Sequence, residues 1–247
     1  MKKHLNILNT VAEYQEYSAS TAYSKPNVTY VRENKVLYYD YGNNKPQADM
    51  SSYKGEFQDI SVGGNYYGKS AITKINYIPN GITGLTNAFS DYLSLEEVTC
   101  DIPISVTSMN YTFNGCSSLV NAQSVIPSGV KNLNYTFGGC SSLVTAPEIP
   151  SGVTNLNSTF VGCSSLVNAP NIPSSVTSMD STFSYCRSLK EVTLLHTTPP
   201  TYNNTLKNCS SLESIYVPDS ALEDYRTATG WLQFADKIKP LSSKPSE

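Results

Sequence analysis

Charge is scarce in this chain. Asp, Glu, Lys and Arg make up 15% of its 247 residues, against about 25% in ordinary soluble domains. Between residues 104 and 188 only Lys131, Glu148, Asp180 and Arg187 are charged. A duplex-binding surface needs several Lys or Arg to neutralise phosphates, so nucleic acid is excluded as a partner. The net charge of −3 points the same way. Histidine is scarcer still, with only His4 and His196. His196 with Cys186 is the one conceivable thiol–imidazole pair, and Cys186 belongs to a series expected to be buried. The glycines at Gly63 and Gly64 form a turn rather than a phosphate loop. No CxxC pair suggests a metal. Catalysis, a metal and a cofactor are therefore not expected.

Long apolar runs are missing too. The start, MKKHLNILNTVAEYQEY, has the lysines of a signal peptide. Asn6, Asn9, Glu13 and Glu16 break up any apolar core of about 7–15 residues. No stretch reaches the ~18 apolar residues of a membrane span, so membrane insertion is not expected. The first cysteine is Cys100, too late for a lipoprotein anchor. As written, the sequence predicts folding in the cytoplasm where it is made.

What the chain has in abundance is one phrase. TFNGCSSLV, TFGGCSSLV and TFVGCSSLV recur, with Phe89, Phe113, Phe137, Phe160 and Phe183 spaced by 24, 24, 23 and 23 residues. Leu206 opens a sixth copy 23 residues further on. A fixed period in the twenties marks units that cannot bury their apolar side alone and must stack. The expected fold is mostly β with short helical or 3₁₀ turns: a solenoid of ~23–24-residue coils, with strands ~4.8 Å apart.

Within a unit, Val153 and Leu156 are apolar, matched by Ile82 and Leu85, Val106 and Met109, Val130 and Leu133, and Val176 and Met179. Asn157, with Asn110, Asn134 and Asp180, stands three residues before each Phe and suits a helix N-cap. Gly162, Gly115 and Gly139 can end that turn at positive φ. Leu166 and Ala169 then begin an extended segment. Cys116, Cys140, Cys163, Cys186 and Cys209 share one repeat position. Stacking brings them near enough for disulfides, but free Cys packs as a small hydrophobe, and a ladder of buried thiols is the expectation. Two polar rows line the surface and form the candidate binding face. One is Glu97, Asn121, Thr145, Asn168, Glu191 and Ser214; the other is Thr83, Thr107, Lys131, Thr154 and Thr177.

The Val-x-x-Leu, Phe-x-x-Cys-x-x-Leu, Ile-Pro pattern resembles the BspA-like subfamily of bacterial leucine-rich repeats. The ending VPDSALEDYRTATGWLQFADKIKPL is similar to the closing segment of such proteins, and together they cover roughly residues 70–241. The resemblance implies an extended solenoid used for adhesion or protein binding, with no enzymatic activity. An open stack needs caps. Ser220 and Glu223 fit a capping box, with Leu222, Tyr225, Trp231 and Phe234 as cap core.

The opening is different material. Eleven of 18 tyrosines lie in the first 77 residues. Residues 9–19 suit a short helix, and two strands, from Val28 and over Val36 to Tyr41, suit a hairpin across Glu33-Asn34-Lys35. A lone hairpin is marginal, so it must pack on something, and Tyr30, Tyr38, Tyr39 and Tyr41 are the candidate anchoring residues. Residues 8–42 resemble N-terminal segments of structural proteins of Bacteroidetes phages and prophages, which need no export signal. The division expected is residues 1–68 as an anchoring segment, 69–217 as the solenoid and 218–247 as cap and tail. The first expectation for function is a virion component, a fibre or decoration, partnered by other virion proteins or by itself. The alternative is a bacterial cell-surface adhesin that binds host protein or glycan.

Overall fold

The computed structural model describes residues 83–122 and 126–245, Ile78, and four strands before them. Those strands are β1 (Leu5–Leu8), β2 (Asn27–Val31), β3 (Val36–Asp40) and β4 (Lys74–Ile75). β2 and β3 pair antiparallel, with Val31 opposite Val36, as the hairpin reading required. β1 adds in parallel to β2, which the sequence did not suggest. Residues 9–19 and the 33–35 turn lie outside the described residues.

From β4 onward each repeat lies in parallel beside the next. Lys74 pairs with Glu97 of β5 (Glu97–Val98), and bridges then run Glu97–Asn121–Thr145–Asn168–Glu191. The ladder widens into β6 (Glu191–Thr193), β7 (Ser214–Val217) and β8 (Ile238–Pro240), again all parallel. The regular structure is mainly strand with few helical turns. Between β5 and β6 the ladder is reduced to single rungs, and the TFxGC segments add further backbone bonds between repeats, such as Phe113 N–H to Thr136 O at 2.9 Å and Gly115 N–H to Gly138 O at 2.7 Å.

The TFxGC segments do not form helical or 3₁₀ turns. Thr112 N–H donates to Met109 O and Cys116 N–H to Phe113 O, each at 3.1 Å. Tyr111 and Gly115, third residues of those two turns, have φ of 56° and 76°. A type II turn demands that sign at this place, and a right-handed helix forbids it. Tyr135, Ser158 and Ser181 repeat the first position, and Gly139 and Gly162 the second. A Cβ at Gly115 would also meet the Asp91 carboxylate, which would have to move. Elsewhere Asp91, Tyr185 and Asn208 hold the same turn position at φ of 60°, 65° and 61° without glycine.

Asn157 is not an N-cap. Its Oδ1 accepts Asp180 N–H at 2.8 Å and the Ser178 hydroxyl at 2.7 Å, both in the following repeat. The local cap is two residues earlier: Asn155 Oδ1 accepts Asn157 N–H at 2.8 Å, and Asn132 Oδ1 accepts Asn134 N–H at 2.9 Å. Such Asx turns compete with helix.

The core is a set of files, one residue type per file. Phe89, Phe113, Phe137, Phe160 and Phe183 stack with centroids 5.5–5.6 Å apart and planes within 15°. Buried hydroxyls of Thr112, Thr136, Thr159, Thr182 and Thr205 donate to carbonyls of Leu85, Met109, Leu133, Leu156 and Met179 at 2.9–3.1 Å. The thiols of Cys116, Cys140, Cys163, Cys186 and Cys209 donate to carbonyls of Phe89, Phe113, Phe137, Phe160 and Phe183 at 3.0–3.1 Å. All are free thiols. Cys186 is thus engaged with a carbonyl, and His196 Nε2 lies 2.7 Å from Val176 O, so the thiol–imidazole pair is not formed.

At the C-terminus a 3₁₀ turn (Asp219–Ala221) leads into α1 (Leu222–Thr227). The capping box is absent. Ala221 sits at the N-cap, and Glu223 pairs with Arg226 at 2.9 Å instead. Trp231 is wholly buried, donates its indole N–H to Pro200 O at 2.7 Å, and packs edge-on against Tyr202 and Tyr225. Tyr225 and Trp231 are core, while Leu222 and Phe234 are partly buried. β8 ends in Pro240, which has no N–H to offer another strand.

The Asx turns and the buried thiols both set measurable expectations. Asn155→Ala should lower stability by about 1 kcal/mol through the lost Asx turn, whereas Thr154→Ala beside it should cost less than ~0.5 kcal/mol; paired urea titrations check this. Burial pushes the thiol of Cys209 from 9.0 up to about 12 and that of Cys100 up to about 11. It raises Cys140 and Cys163 well above the ordinary value. Because folding favours the protonated thiol, this contribution is intact below pH 9.0 and is lost as pH rises through about 11 and 12. Tm should therefore fall from about pH 9 upward, and replacing Cys140 by Ala should flatten the slope. Native labelling at pH 8 should leave Cys140 and Cys163 unmodified until the protein unfolds.

Candidate functional site

On the β4–β8 ladder each repeat places two residues after a buried leucine, and most of these are exposed or half-buried. In the repeat that carries Phe113, Leu119 and Ala122 are buried, leaving Val120 exposed and Asn121 half-buried. Stacking turns these dipeptides into two adjacent rows. The row predicted from sequence is in register, since Glu97, Asn121, Thr145, Asn168, Glu191 and Ser214 are successive bridge partners. Glu97, Thr145 and Asn168 are exposed, and Asn121 and Glu191 half-buried. Ser214 departs from the pattern and is 3% exposed, because Lys239 reaches back from β8 to its hydroxyl at 2.7 Å. The Asn121 Oδ1 is buried without a hydrogen-bond partner.

The adjacent row was missed. It runs Glu96, Val120, Val144, Val167, Lys190 and Glu213, one residue before the polar row. Backbone bonds join it: Val120 N–H to Glu96 O and Val144 N–H to Val120 O at 3.1 Å, and Lys190 N–H to Val167 O and Glu213 N–H to Lys190 O at 2.8 Å. Val120 is 48% and Val144 46% exposed. Lys190 and Glu213 form an exposed ion pair at 3.6 Å. The signal was present in the sequence, since Leu-Val in three middle copies replaces Leu-Glu and Leu-Lys at the ends. Leu-Val reads as core continuing, however, and only the alternation of side chains along the extended segment puts the valine outside.

The second predicted row belongs to a different ladder. Thr83, Thr107, Lys131, Thr154 and Thr177 are all exposed. They run beside the bridges Gly84–Ser108, Asn132–Asn155 and Asn155–Ser178. Buried Ala122, Ile126, Pro127 and Val130 separate Asn121 from Lys131 along the chain. The hydroxyls of Thr107, Thr154 and Thr177 donate to carbonyls of Thr83, Lys131 and Thr154 at 3.2–3.3 Å. Their protons are spent on the scaffold, so these threonines offer acceptors more readily than donors, while Lys131 brings the row's one ammonium.

Of the anchoring residues, Tyr30 lies in β2 opposite Leu37, and Tyr38 and Tyr39 in β3 opposite Thr29 and Val28. Tyr41 lies outside the described residues. Among the described residues, no group of three His, Cys, Asp or Glu side chains stands ready for a metal. No helix there is long and apolar enough to cross a membrane.

No curated protein matches the chain. Among solved structures, a leucine-rich repeat protein from Bacteroides ovatus is 21% identical, over 79% of this chain and 48% of that one, with a TM-score of 0.47. The chain spans about half the length of that protein. A T. pallidum leucine-rich repeat protein is 18% identical over 81% of this chain and 84% of its own, with a TM-score of 0.44. A leucine-rich cell surface protein from Faecalibacterium prausnitzii is 18% identical over 70% and 77%, with a TM-score of 0.31. The BspA type leucine rich repeat region matches in six copies over residues 58–134 and 110–227. These matches take in more than half of the chain and the whole TFxGCSSLV series, so the chain belongs to the BspA-type leucine-rich repeat family.

Proposed function

We propose that this chain is a non-enzymatic binding module: a continuous solenoid of 23–24-residue coils, closed at its C-terminal end by α1 and the segment that carries Trp231. In this reading residues 1–68 attach it, residues 69–217 present the recognition surface, and 218–247 form the cap and tail. The partner is a protein or glycan that lies along the β4–β8 ladder. The carrying observation is that ladder itself, in which neutral polar side chains from Asn121 to Asn168 are held in register while their backbone is tied to neighbouring repeats. A surface so fixed loses little entropy when a partner settles on it. The low charge favours short-range, shape-dependent contacts over long-range steering.

Two settings suit such a module. One is a virion, with β1–β3 as the anchor and other virion proteins or a second copy as neighbours. Its support is the likeness of residues 8–42 to phage structural proteins, a sequence pattern alone. The other is display on a bacterial cell surface, supported by membership of a repeat family whose resemblance implies adhesion and protein binding. The family match spans residues 58–227, far more of the chain than the phage likeness, and this favours the cell surface.

The binding reading is tested on arrays of glycans and of host surface proteins. The triple variant Asn121→Ala, Thr145→Ala, Asn168→Ala should bind about tenfold or more weakly with Tm nearly unchanged. Thr154→Ala with Thr177→Ala should bind as before. Equal binding by the triple variant would sink the reading. Protease shaving of intact cells, set beside mass spectrometry of purified virions, decides between the two settings.

A further inference from the structure

We propose that the ladder face is a self-association surface. Two copies meet through the row Glu96–Val120–Val144–Val167–Lys190, antiparallel about a twofold axis at Val144. The proposal rests on the reading of this face as the binding face and names its partner as a second copy of the chain.

The first observation is where the apolar residues stand. Three consecutive repeats place valine at a position where the flanking repeats place Glu96, Lys190 and Glu213. Val120 and Val144 remain about half exposed. Scattered surface valines need no explanation, but a contiguous apolar row rimmed by charge marks an interaction surface.

The second observation is the arrangement of that charge. Glu96 lies two repeats before Val144, and Lys190 lies two repeats after it. A twofold axis that reverses the stack sets Val144 on Val144, Val120 on Val167 and Glu96 on Lys190. Both copies share one rise per repeat, ~4.8 Å, so the register holds along the whole row. Such an interface is isologous and closes as a dimer.

The alternatives are worse on simple grounds. Running the two stacks in the same direction sets Glu96 on Glu96 and Lys190 on Lys190, like charges facing each other. Sliding the antiparallel pair by one repeat presses Glu96 or Lys190 against valine, where a charge loses its water without a partner. In the preferred register the neighbouring row sets Asn121 across from Asn168 and Thr145 across from Thr145, pairs that are each donor and acceptor. One contact opposes it: Glu97 comes to face Glu191. Lys190 offsets part of this, since it adjoins Glu191 and, besides its Glu213 at 3.6 Å, gains the partner's Glu96.

Sedimentation velocity of the full chain tests the proposal, with Tm confirming that each variant is folded. The wild type should be a dimer that dissociates on dilution. Lys190→Glu and Glu96→Lys should each weaken association by about tenfold or more. Combining both changes in one chain should restore it, and Val144→Asp should give a monomer. A wild type that is monomeric at its solubility limit, or charge variants that associate as the wild type does, overturn the proposal. If a monomeric wild type still binds an array ligand, and Val144→Asp abolishes that binding, the face serves another partner: the dimer falls and the binding reading stands.

Discussion

Everything in this structure depends on one constraint, the supply of hydrogen-bond partners for backbone that is neither helix nor extended sheet. A repeat of two dozen residues that turns several times leaves carbonyls pointing inward. Buried without partners, each would cost about 1–3 kcal/mol. The chain meets this with side chains of the next repeat. The hydroxyl of Thr136 reaches Met109 O at 2.9 Å, and the thiol of Cys140 reaches Phe113 O at 3.1 Å. Thr and Cys are small enough to leave room for the Phe file between them. Three neighbouring motif positions thus satisfy two carbonyls and fill the core with one ring. This explains why TFxGC recurs with so few changes, and why five cysteines can be retained without disulfides or metal.

The same constraint accounts for the strained backbone. Tyr111, Tyr135 and Tyr185 hold φ of 56°, 54° and 65°, a region that costs a non-glycine residue roughly 1–2 kcal/mol. They persist because the turns are over-determined from outside. Tyr111 N–H donates to Asn134 O at 2.9 Å, Tyr135 N–H to Asn157 O at 3.0 Å and Tyr185 N–H to Lys207 O at 2.7 Å. Tyr111 and Tyr135 also recover energy by stacking at 4.9 Å.

How much of this was legible follows from the kind of physics involved. The core files could be read because a fixed period forces like residues to meet. Phe137, Cys140 and Leu143 were placed correctly on spacing alone, and so was the register of the Glu97–Ser214 row. The turns were misread as helical because Asn before a short segment has two uses. At Asn155 it closes an Asx turn on its own chain, and at Asn157 it ties one repeat to the next. Local sequence does not distinguish these. Left-handed φ was announced by Gly115, Gly139 and Gly162, yet hidden at Tyr111 and Ser158, where the neighbouring repeat imposes it. The burial of Ser214 and the loss of the capping box had no local signal, since both depend on how the C-terminal segment returns over β7.

The division between what recurs and what varies separates core positions from solvent-facing ones. Inter-repeat bonds on the ladder run backbone to backbone, as between Val144 N–H and Val120 O, so no exposed side chain is needed to hold the strand rungs together. Glu, Val or Lys can therefore occupy the position before the polar row, and Glu, Asn or Thr the polar row itself, at little cost to the fold. In an enzyme, side chains at such positions would have to converge on one reacting atom. Here neighbouring rungs diverge along a line, each a few ångströms from the next, and only an elongated partner can read several at once. The proposed second copy would present a row with the same rise.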